Sequence, residues 1–353
     1  MKNLLFYIVV IVLIVFLIPI LFTKRFENSE YVSSNNLRID VDENVEIKNN
    51  ENEKNKISNN NDINKNNYDY KQYNTVKVLH TKTGEIEEIN LDEYLYGVVS
   101  AEMPASFENE ALKAQSIVAR TYTIYKIMQN NGKHEDADIC DASSCCQAWL
   151  SKEDRLSKWD ESERESNWTK IVNAVNETKG KIIVYNGQPI NAFFHSNSGG
   201  NTESPVNVWG GSMYPYLQSV ETSGEDAYNQ YKSEVTMSKE ELINKMNQNY
   251  DEFEINFEDD NAIKVLEYTE GKRVKTIKIG NINLSGVEAR TIFGLKSANF
   301  EISIHNSDVT FSVIGYGHGV GMSQTGADSL AKQGMNYEQI ITHFYTDVGI
   351  INL

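Results

Sequence analysis

The stretch YLYGVVSAEMPASFENEALKAQSIVARTYTIY, residues 94–125, decides the fold of the chain around it. Apolar residues at helical spacing occupy one face of its first part, and Pro104 predicts where that helix stops. The second part continues as a longer helix, for which Gly132 is a suitable terminator. The apolar face of the first helix consists of Leu91, Tyr94, Leu95, Val98 and Val99. The sequence therefore predicts two successive helices joined near Glu102.

Short strands are predicted on both sides of these helices. Residues 75–94 alternate around a Thr-Gly turn, and Asn186-Gly187 predicts a second hairpin. Short alternating strands dominate residues 255–314, whereas residues 238–249 and the C-terminal end have helical spacing. Because regular βαβ alternation is missing, we predict an α+β fold of mixed short strands and helices.

The N-terminal region predicts a transmembrane helix followed by a linker. No charged residue occurs from Leu4 to Phe22, and this run spans about 28 Å as a helix, close to the thickness of a bilayer core. A cleaved signal peptide is the alternative, but no small-x-small cleavage site follows Phe22. We predict a transmembrane signal-anchor at 1–25, a disordered Asn-rich tether at 26–74 and a folded domain at 75–353.

Charge and cysteine content exclude two classes of protein. Lys plus Arg number 33 and Asp plus Glu number 50, so the formal net charge is −17. A chain this acidic is a poor binder of nucleic acid, since phosphate binding requires basic residues. The three cysteines all lie within residues 140–146. A disulfide framework is therefore excluded, and metal binding, one local bridge or free thiols remain.

Glu102 is the first candidate for chemistry. It follows an apolar helix and is flanked by Ala101, Met103 and Pro104. Removing a carboxyl group from water raises its pKa, which a general acid needs near neutral pH. The alternative is a solvated glutamate at the end of a helix.

Three further blocks accompany the opening stretch: FFHSNSGG at 193–200, LSGVEARTIFGLKS at 284–297 and GYGHGVGMSQTGADSLAKQG at 315–334. Together, and in this order, the four blocks resemble the SpoIID/LytB family of cell-wall proteins, and its clostridial type in particular. The resemblance runs from about Val76 to the C-terminus. It implies a substrate groove among the strands and helices, with Glu102 as the catalytic residue.

The resemblance implies a lytic transglycosylase that acts in engulfment during sporulation. Its substrate would be the MurNAc-GlcNAc bond of peptidoglycan glycan strands from which the stem peptides have been removed, and its products 1,6-anhydro sugars. Implied partners are stage II sporulation proteins P, an amidase, and M, a membrane protein. The implied location is the mother-cell membrane facing the forespore, as a single-pass protein with its catalytic domain on the extracytoplasmic side. The alternative is a non-catalytic wall-binding activator of an amidase. A zinc hydrolase is a third hypothesis, but no HExxH-like base accompanies the cysteine loop.

The Gly-rich blocks supply the candidate substrate-binding residues. Hydroxyls can bond sugar hydroxyls and acetamides, and glycines let a ligand approach the backbone closely. The alternative for the first block is a polar turn, and for the second block support of Glu102. The candidates are His195, Ser196, Ser198, Gly199, His318 and Gln324. Arg120 is predicted to form either an ion pair with a carboxylate near the site or a surface or structural salt bridge.

The loop HEDADICDASSCCQAW contains a candidate zinc site. Its ligands would be His134, Cys140 and Cys146, residue types that bind zinc. The resemblance supports one zinc, structural or site-shaping, since the clostridial type has a His and two Cys in this loop. We choose Cys146 over Cys145 because it precedes Gln147, and because adjacent side chains of an extended loop point in opposite directions. Water or Asp141 would complete the set; free thiols or a Cys140–Cys145 disulfide are the alternatives.

Overall fold

The computed structural model describes residues 73–129 and 133–353, and it mixes short strands with helices, which confirms the predicted α+β class. The strands are β1 Thr75–Leu79, β2 Ile86–Asn90, β3 Ile139–Cys140, β4 Lys181–Tyr185, β5 Gln188–Pro189, β6 Phe194–His195, β7 Lys232–Ser238, β8 Ile263–Tyr268, β9 Val274–Ile279, β10 Ile282–Ser285, β11 Phe300–Ile304, β12 Asp308–Ile314, β13 Met322–Ser323 and β14 Gly349–Asn352. The helices are α1 Leu91–Glu102, α2 Asn109–Gln129, α3 Lys152–Ser157, α4 Arg164–Glu177, α5 Pro205–Trp209, α6 Lys239–Asn247, α7 Gly286–Phe293, α8 Gln324–Lys332 and α9 Tyr337–Phe344. All described residues except Trp209–Gly211 belong to one compact unit.

The predicted anchor at 1–25 lies outside the described residues, as does the predicted tether at 26–74 except for its last two residues. Between 73 and 129 and from 133 onwards, no helix has both the length and the apolar character that a membrane span requires.

Helix α1 forms where the apolar spacing predicts it. Asn90 caps its start by accepting a hydrogen bond from the Asp92 N–H, which satisfies a donor that lacks a partner inside the helix. The predicted apolar face is buried along its whole length. The helix ends at Glu102, because the residue before Pro104 cannot easily keep helical backbone angles. The prediction for this helix is confirmed.

Arg120 is the largest of the fully buried side chains, and it holds helices together. Its guanidinium donates to the carbonyls of Thr178 and Val175, at 2.8 and 3.2 Å, at the C-terminal end of α4. It also lies 3.7 Å from the carboxylate of Asp92, near the start of α1. A cation at these carbonyls satisfies acceptors that lack a partner inside the helix. Of the two predicted alternatives, Arg120 therefore forms the structural ion pair.

Both predicted hairpins are present. Strands β1 and β2 pair antiparallel, with Val76 opposite Ile89, and β3 adds in parallel to β1. Strands β4 and β5 pair through Asn186 and Gly187, which both have left-handed backbone angles, with φ of 50° and 76°. This conformation is typical of a tight two-residue hairpin turn. Strand β14 completes that sheet beside β4.

Residues 232–314 build two further three-stranded sheets, in the orders β11-β12-β7 and β10-β9-β8. Their inner faces and helices α6 and α7 share a hydrophobic core that includes Met246, Ile277, Phe293 and Phe311.

A different pairing connects the two Gly-rich blocks: β6 and β13 run parallel for two residues each. This short ladder brings residues 194–195 beside residues 322–323 and so positions the candidate site.

Candidate active site

Glu102 lies at the last position of α1, partly exposed, between two hydrogen-bond donors from distant parts of the chain. One carboxyl oxygen accepts from the backbone N–H of Ala148 at 2.6 Å, and the other accepts from the side-chain amide of Gln324 at 3.1 Å. Removal from water raises the pKa of Glu102, and the two donors oppose this shift without cancelling it. The structure therefore brings Gln324 to Glu102 and gives Glu102 the electrostatics of a general acid.

Ala148 is the member of this arrangement that sequence reasoning missed, because a backbone donor leaves no signal in the choice of residue. Its position is fixed by its neighbours. The buried side chain of Gln147 donates to the Tyr94 hydroxyl at 3.0 Å and to the Thr123 hydroxyl at 2.9 Å. On the other side, Trp149 packs so closely on Gly97 that a side chain at position 97 would collide with it.

The Gly-rich blocks meet along the ladder of β6 and β13. Beyond the ladder, the Thr325 N–H donates to the Ser196 carbonyl at 3.0 Å, and Asn197 pairs with Tyr316 through two backbone hydrogen bonds. Gly199 has a φ of 72°, and a Cβ there would lie 2.9 Å from the Ile314 side chain. Glycine is required at this position because both the backbone angle and the space exclude a side chain.

The two predicted histidines lie next to each other, with ring centroids 5.6 Å apart. His195 is buried, and its Nδ1 lies 3.1 Å from the Val320 carbonyl. Burial, assisted by the charge of Arg273, lowers the pKa of His195 to about 3. His318 is partly exposed and accepts from the Val320 N–H, and burial of its ring also lowers its pKa. Both rings are therefore neutral near pH 7, and only His318 has appreciable surface for a ligand.

Ser198 faces the interior. Its hydroxyl and its N–H both donate to the carboxylate of Glu225, and the side chain has no exposed surface. Ser196, by contrast, is partly exposed. Contacts of Ser196, Ser198 and Gly199 with a sugar stay predictions, as do those of the two histidines. Glu225 itself was missed, because the sequence around it, TSGEDAY, carries no motif.

The cysteine loop gathers four potential ligands. The ligand atoms of His134, Cys140, Cys145 and Cys146 all lie within 4.8 Å of one another. The His134 Nε2 lies 3.4 Å from the Cys146 sulfur and 3.5 Å from the Cys145 sulfur. Our expectation that adjacent thiols cannot both face one metal is wrong here. The loop is a turn, in which the N–H groups of both cysteines donate to the Ala142 carbonyl, so the two sulfurs lie 3.9 Å apart.

This donor set fits a metal. One imidazole nitrogen and three thiols form the Cys₃His combination that structural zinc sites use. Hydrogen bonds among the three thiols lower the pKa of Cys145 and raise the pKa of Cys140, so the cluster favours one thiolate, and a metal that binds all three sulfurs must displace the remaining protons. Asp141 is held elsewhere, because its carboxylate accepts from the N–H and hydroxyl of Thr81. The three cysteines are free thiols in this structure.

Comparison with known proteins points to one family. The SpoIID family, described as Stage II sporulation protein, matches residues 79–185, a range that includes Glu102 and the cysteine loop. Stage II sporulation protein D of Bacillus subtilis (strain 168) is 36% identical over 274 residues, 77% of this chain and 77% of that protein. The protein of the same name from Bacillus amyloliquefaciens is 35% identical over 277 residues, 78% of each chain. The amidase enhancer of Bacillus subtilis (strain 168) is 30% identical over 301 residues, 71% of this chain but 39% of that protein. The extent of these matches means that this chain belongs to the SpoIID family of stage II sporulation proteins.

Proposed function

We propose that this protein is a lytic transglycosylase that cleaves the MurNAc-GlcNAc bond of peptide-stripped peptidoglycan. The observation that carries the proposal is Glu102: it is partly exposed, its pKa is raised by burial, and two donors hold its carboxyl group in place. A carboxyl group in this state can give a proton to an ether oxygen near neutral pH and remain accessible to a substrate.

The reaction needs one carboxyl group. Neutral Glu102 gives its proton to the glycosidic oxygen as the bond from that oxygen to C1 of the muramic acid breaks. The oxygen of the same sugar's C6 hydroxyl forms the new bond to C1, and its proton passes to the Glu102 carboxylate. The products are a 1,6-anhydro end and a free 4-hydroxyl, and Glu102 regains its proton. No water enters, so the second carboxylate that ordinary glycosidases use to activate water is unnecessary.

The neighbours of Glu102 support its charged form between the two proton transfers. When Glu102 has lost its proton, the Ala148 N–H and the Gln324 amide still point at its oxygens. Fixed donors of this kind stabilise a developing charge without having to reorganise. The partly exposed Ser196 and His318 lie along the same Gly-rich loops and are the candidates for sugar contacts.

Zinc fits the cluster of His134, Cys140, Cys145 and Cys146. When bound, it would supply a cross-link within the loop rather than a reacting group, since four protein ligands fill its tetrahedral shell. Cys146 stands two positions before Ala148, whose N–H contacts Glu102. The loop therefore fixes one of the two donors of the acid, which is a site-shaping role.

The setting of the activity is also a proposal. The charge-free run from Leu4 to Phe22 supports a single-pass anchor at 1–25, and the polar composition of 26–74 supports a tether that connects it to the domain at 75–353. The domain would lie on the extracytoplasmic side of the mother-cell membrane, where peptidoglycan is found. A glycan without stem peptides requires a preceding amidase, which fits stage II sporulation protein P as a partner, with protein M in the membrane.

One experiment tests the enzyme against its alternative. Full-length wild-type protein is incubated with peptide-stripped glycan strands, and 1,6-anhydro-muramic ends are measured by mass spectrometry. Glu102→Gln keeps the shape of the side chain but has no acidic proton, so we expect a loss of about 10²- to 10⁴-fold. Glu93→Gln, on the exposed side of the same helix, is the matched control and should keep full activity.

The second candidate is a non-catalytic activator of an amidase. It is favoured by one observation, the 30% identity to a protein named amidase enhancer. Under this alternative, neither wild type nor Glu102→Gln forms anhydro ends, and both stimulate a purified amidase equally. That result would remove Glu102 from the role of acid.

A further inference from the structure

Glu225 is a buried carboxylate surrounded by donors. It begins a short 3₁₀ helix, Glu225–Ala227, and is 2% exposed. Donors within 3.1 Å of its two oxygens are the N–H groups of Ser198 and Gly200 and the hydroxyls of Ser198, Thr222, Ser323 and Thr325. These donors come from three separate segments of the chain, so Glu225 joins both Gly-rich blocks to the loop at 222–225.

The charge of Glu225 is maintained by these contacts. Burial opposes ionisation, but the hydrogen bonds from Ser198, Ser323 and Thr222 outweigh it, and the pKa of Glu225 is lowered. The guanidinium of Arg273 donates to the Ser198 carbonyl at 2.9 Å, and burial lowers its pKa overall although the charge of Glu225 opposes that shift. Because its oxygens are occupied and it is buried, Glu225 cannot itself contact a glycan or exchange a proton with it.

The contacts of Glu225 lead directly to Glu102. Ser323 and Thr325 stand immediately before and after Gln324, and both hydroxyls reach Glu225. Ser323 is also the N-cap of α8: its oxygen accepts from the Gly326 N–H at 3.2 Å. When its proton is held by Glu225, the lone pairs of Ser323 remain for the cap. Glu225 thus fixes the first turn of α8, from which the Gln324 side chain reaches Glu102 at 3.1 Å.

We propose that Glu225 is a positioning residue for the acid: its buried carboxylate holds the first turn of α8 so that Gln324 donates to Glu102. The inference rests on the proposed function of Glu102. It differs from a purely structural role in one respect, the protonation of Glu102. The Gln324 amide lowers the pKa of Glu102, so its loss should raise that pKa. Because the first step needs neutral Glu102, activity should then persist to higher pH even as its maximum falls.

The test compares Glu225→Gln, Gln324→Ala and the double variant in the full-length protein, by the pH dependence of anhydro-end formation on peptide-stripped glycan. Glu225→Gln replaces one carboxylate oxygen with an NH₂ group, which cannot accept the hydrogen bonds of the surrounding donors. We expect kcat to fall about 10²-fold, the order for displacing a catalytic contact by 1 Å, with a smaller change in KM. Both single variants should shift the alkaline limb of the profile to higher pH. The double variant should lose no more than the worse single variant, whereas independent effects would multiply.

Two variants keep the test decisive if Glu225→Gln folds poorly. Glu225→Asp retains the charge on a shorter side chain and should recover part of kcat. Ser323→Ala leaves Glu225 in place but removes one of its two hydrogen bonds to the start of α8, the other being that of Thr325, and should shift the alkaline limb in the same direction. Glu203→Gln is the matched control, because Glu203 is equally buried and accepts from Ser204, Asn207 and Thr269. Glu203→Gln should lower the melting temperature but keep the same pH profile of activity as the wild type.

A readout without activity separates this inference from the function. Crystal structures of wild type and Glu225→Asp give the distance from the Gln324 amide nitrogen to the Glu102 oxygen, which we expect to lengthen beyond 3.5 Å in the variant. If Glu102→Gln stays active but this distance lengthens, the proposed function fails and the positioning role stands. The inference about Glu225 is overturned if the distance and the pH profile stay as in the wild type and the effects of the two substitutions on kcat multiply in the double variant.

Discussion

Replacing Gly97 with alanine tests the packing behind Glu102. Gly97 lies inside α1, and a Cβ there would stand 2.3 Å from the Trp149 indole nitrogen and 2.6 Å from the Leu150 carbonyl oxygen. Ordinary contacts begin near 3.5 Å, so the segment must retreat by about 1 Å. That segment includes Ala148, whose N–H lies 2.6 Å from Glu102. The substitution should therefore move a donor of the acid without changing either group.

The expected magnitudes follow from the contacts. Overpacking against a backbone atom costs about 3 kcal/mol, at the upper end of its usual range, and alanine recovers about 1 kcal/mol of helix propensity. The net destabilisation is about 2 kcal/mol. With an unfolding entropy of about 0.6 kcal/mol/K for about 280 residues, the melting temperature should fall by about 3 °C. A displacement of about 1 Å should lower the rate by about 10²-fold.

Calorimetry gives the melting temperature. The formation of anhydro ends, assayed well below that temperature, gives the rate. Gly84→Ala is the control: Gly84 has a φ of 77° in the β1–β2 turn, with no atom within 4 Å of a Cβ placed there. Alanine in this conformation costs about 1–2 kcal/mol, so stability should fall similarly while activity is kept. If Gly97→Ala lost no more activity than Gly84→Ala, the reasoning about the packed segment would be refuted.

Two further predictions concern the metal cluster and pH. Cys145→Ser and Cys146→Ser should lower the zinc content of the purified protein to a similar degree, because both thiols lie in the same cluster of ligand atoms. Elemental analysis checks this, and a zinc content equal to that of the wild type in either variant would contradict it. His195 has a pKa of about 3 in the folded protein against 6.5 when exposed, so the unfolded chain binds the extra proton between these values, and stability falls as the pH drops through 6.5. His195 should contribute about 2 kcal/mol to the loss between pH 7 and pH 5, measured by urea unfolding, and His318, whose pKa is also lowered, adds to the loss in the same direction. His195→Asn should remove the His195 share, and an unchanged slope would assign the effect to other groups.

The sequence predicted what local periodicity and turn chemistry determine. The buried face of α1 and its end before Pro104 follow from spacing and from one steric rule, and the turn at Asn186-Gly187 follows from the preference of these residues for left-handed angles. Glu102 could be proposed because it stands in a recognisable block. Its two donors could not be derived from spacing, since they lie 46 and 222 residues away in sequence.

The remaining features depend on tertiary contacts that no spacing rule contains. Glu225 was missed because its importance comes from three loops that converge on it, not from its neighbours in sequence. Cys145 was assigned away from the metal because the rule of opposed side chains holds for extended backbone, whereas residues 142–146 form a turn. Ser198 is a predicted ligand residue because a hydroxyl beside glycines suits one; its hydrogen bond to the buried Glu225 carboxylate is a tertiary contact that this local pattern does not contain.

The separation of Glu102 from Gln324 by 222 residues has a consequence for the order of events during synthesis. At the usual elongation rates of about 5–20 residues per second, roughly 10–45 s pass between the two residues leaving the ribosome's catalytic centre. Helix α1 can form early, but the second donor of the acid arrives only after these 222 further residues have been added. Any activity that requires this contact therefore begins only after Gln324 has been added, so a chain that stops before Gln324 has the acid without its full set of donors.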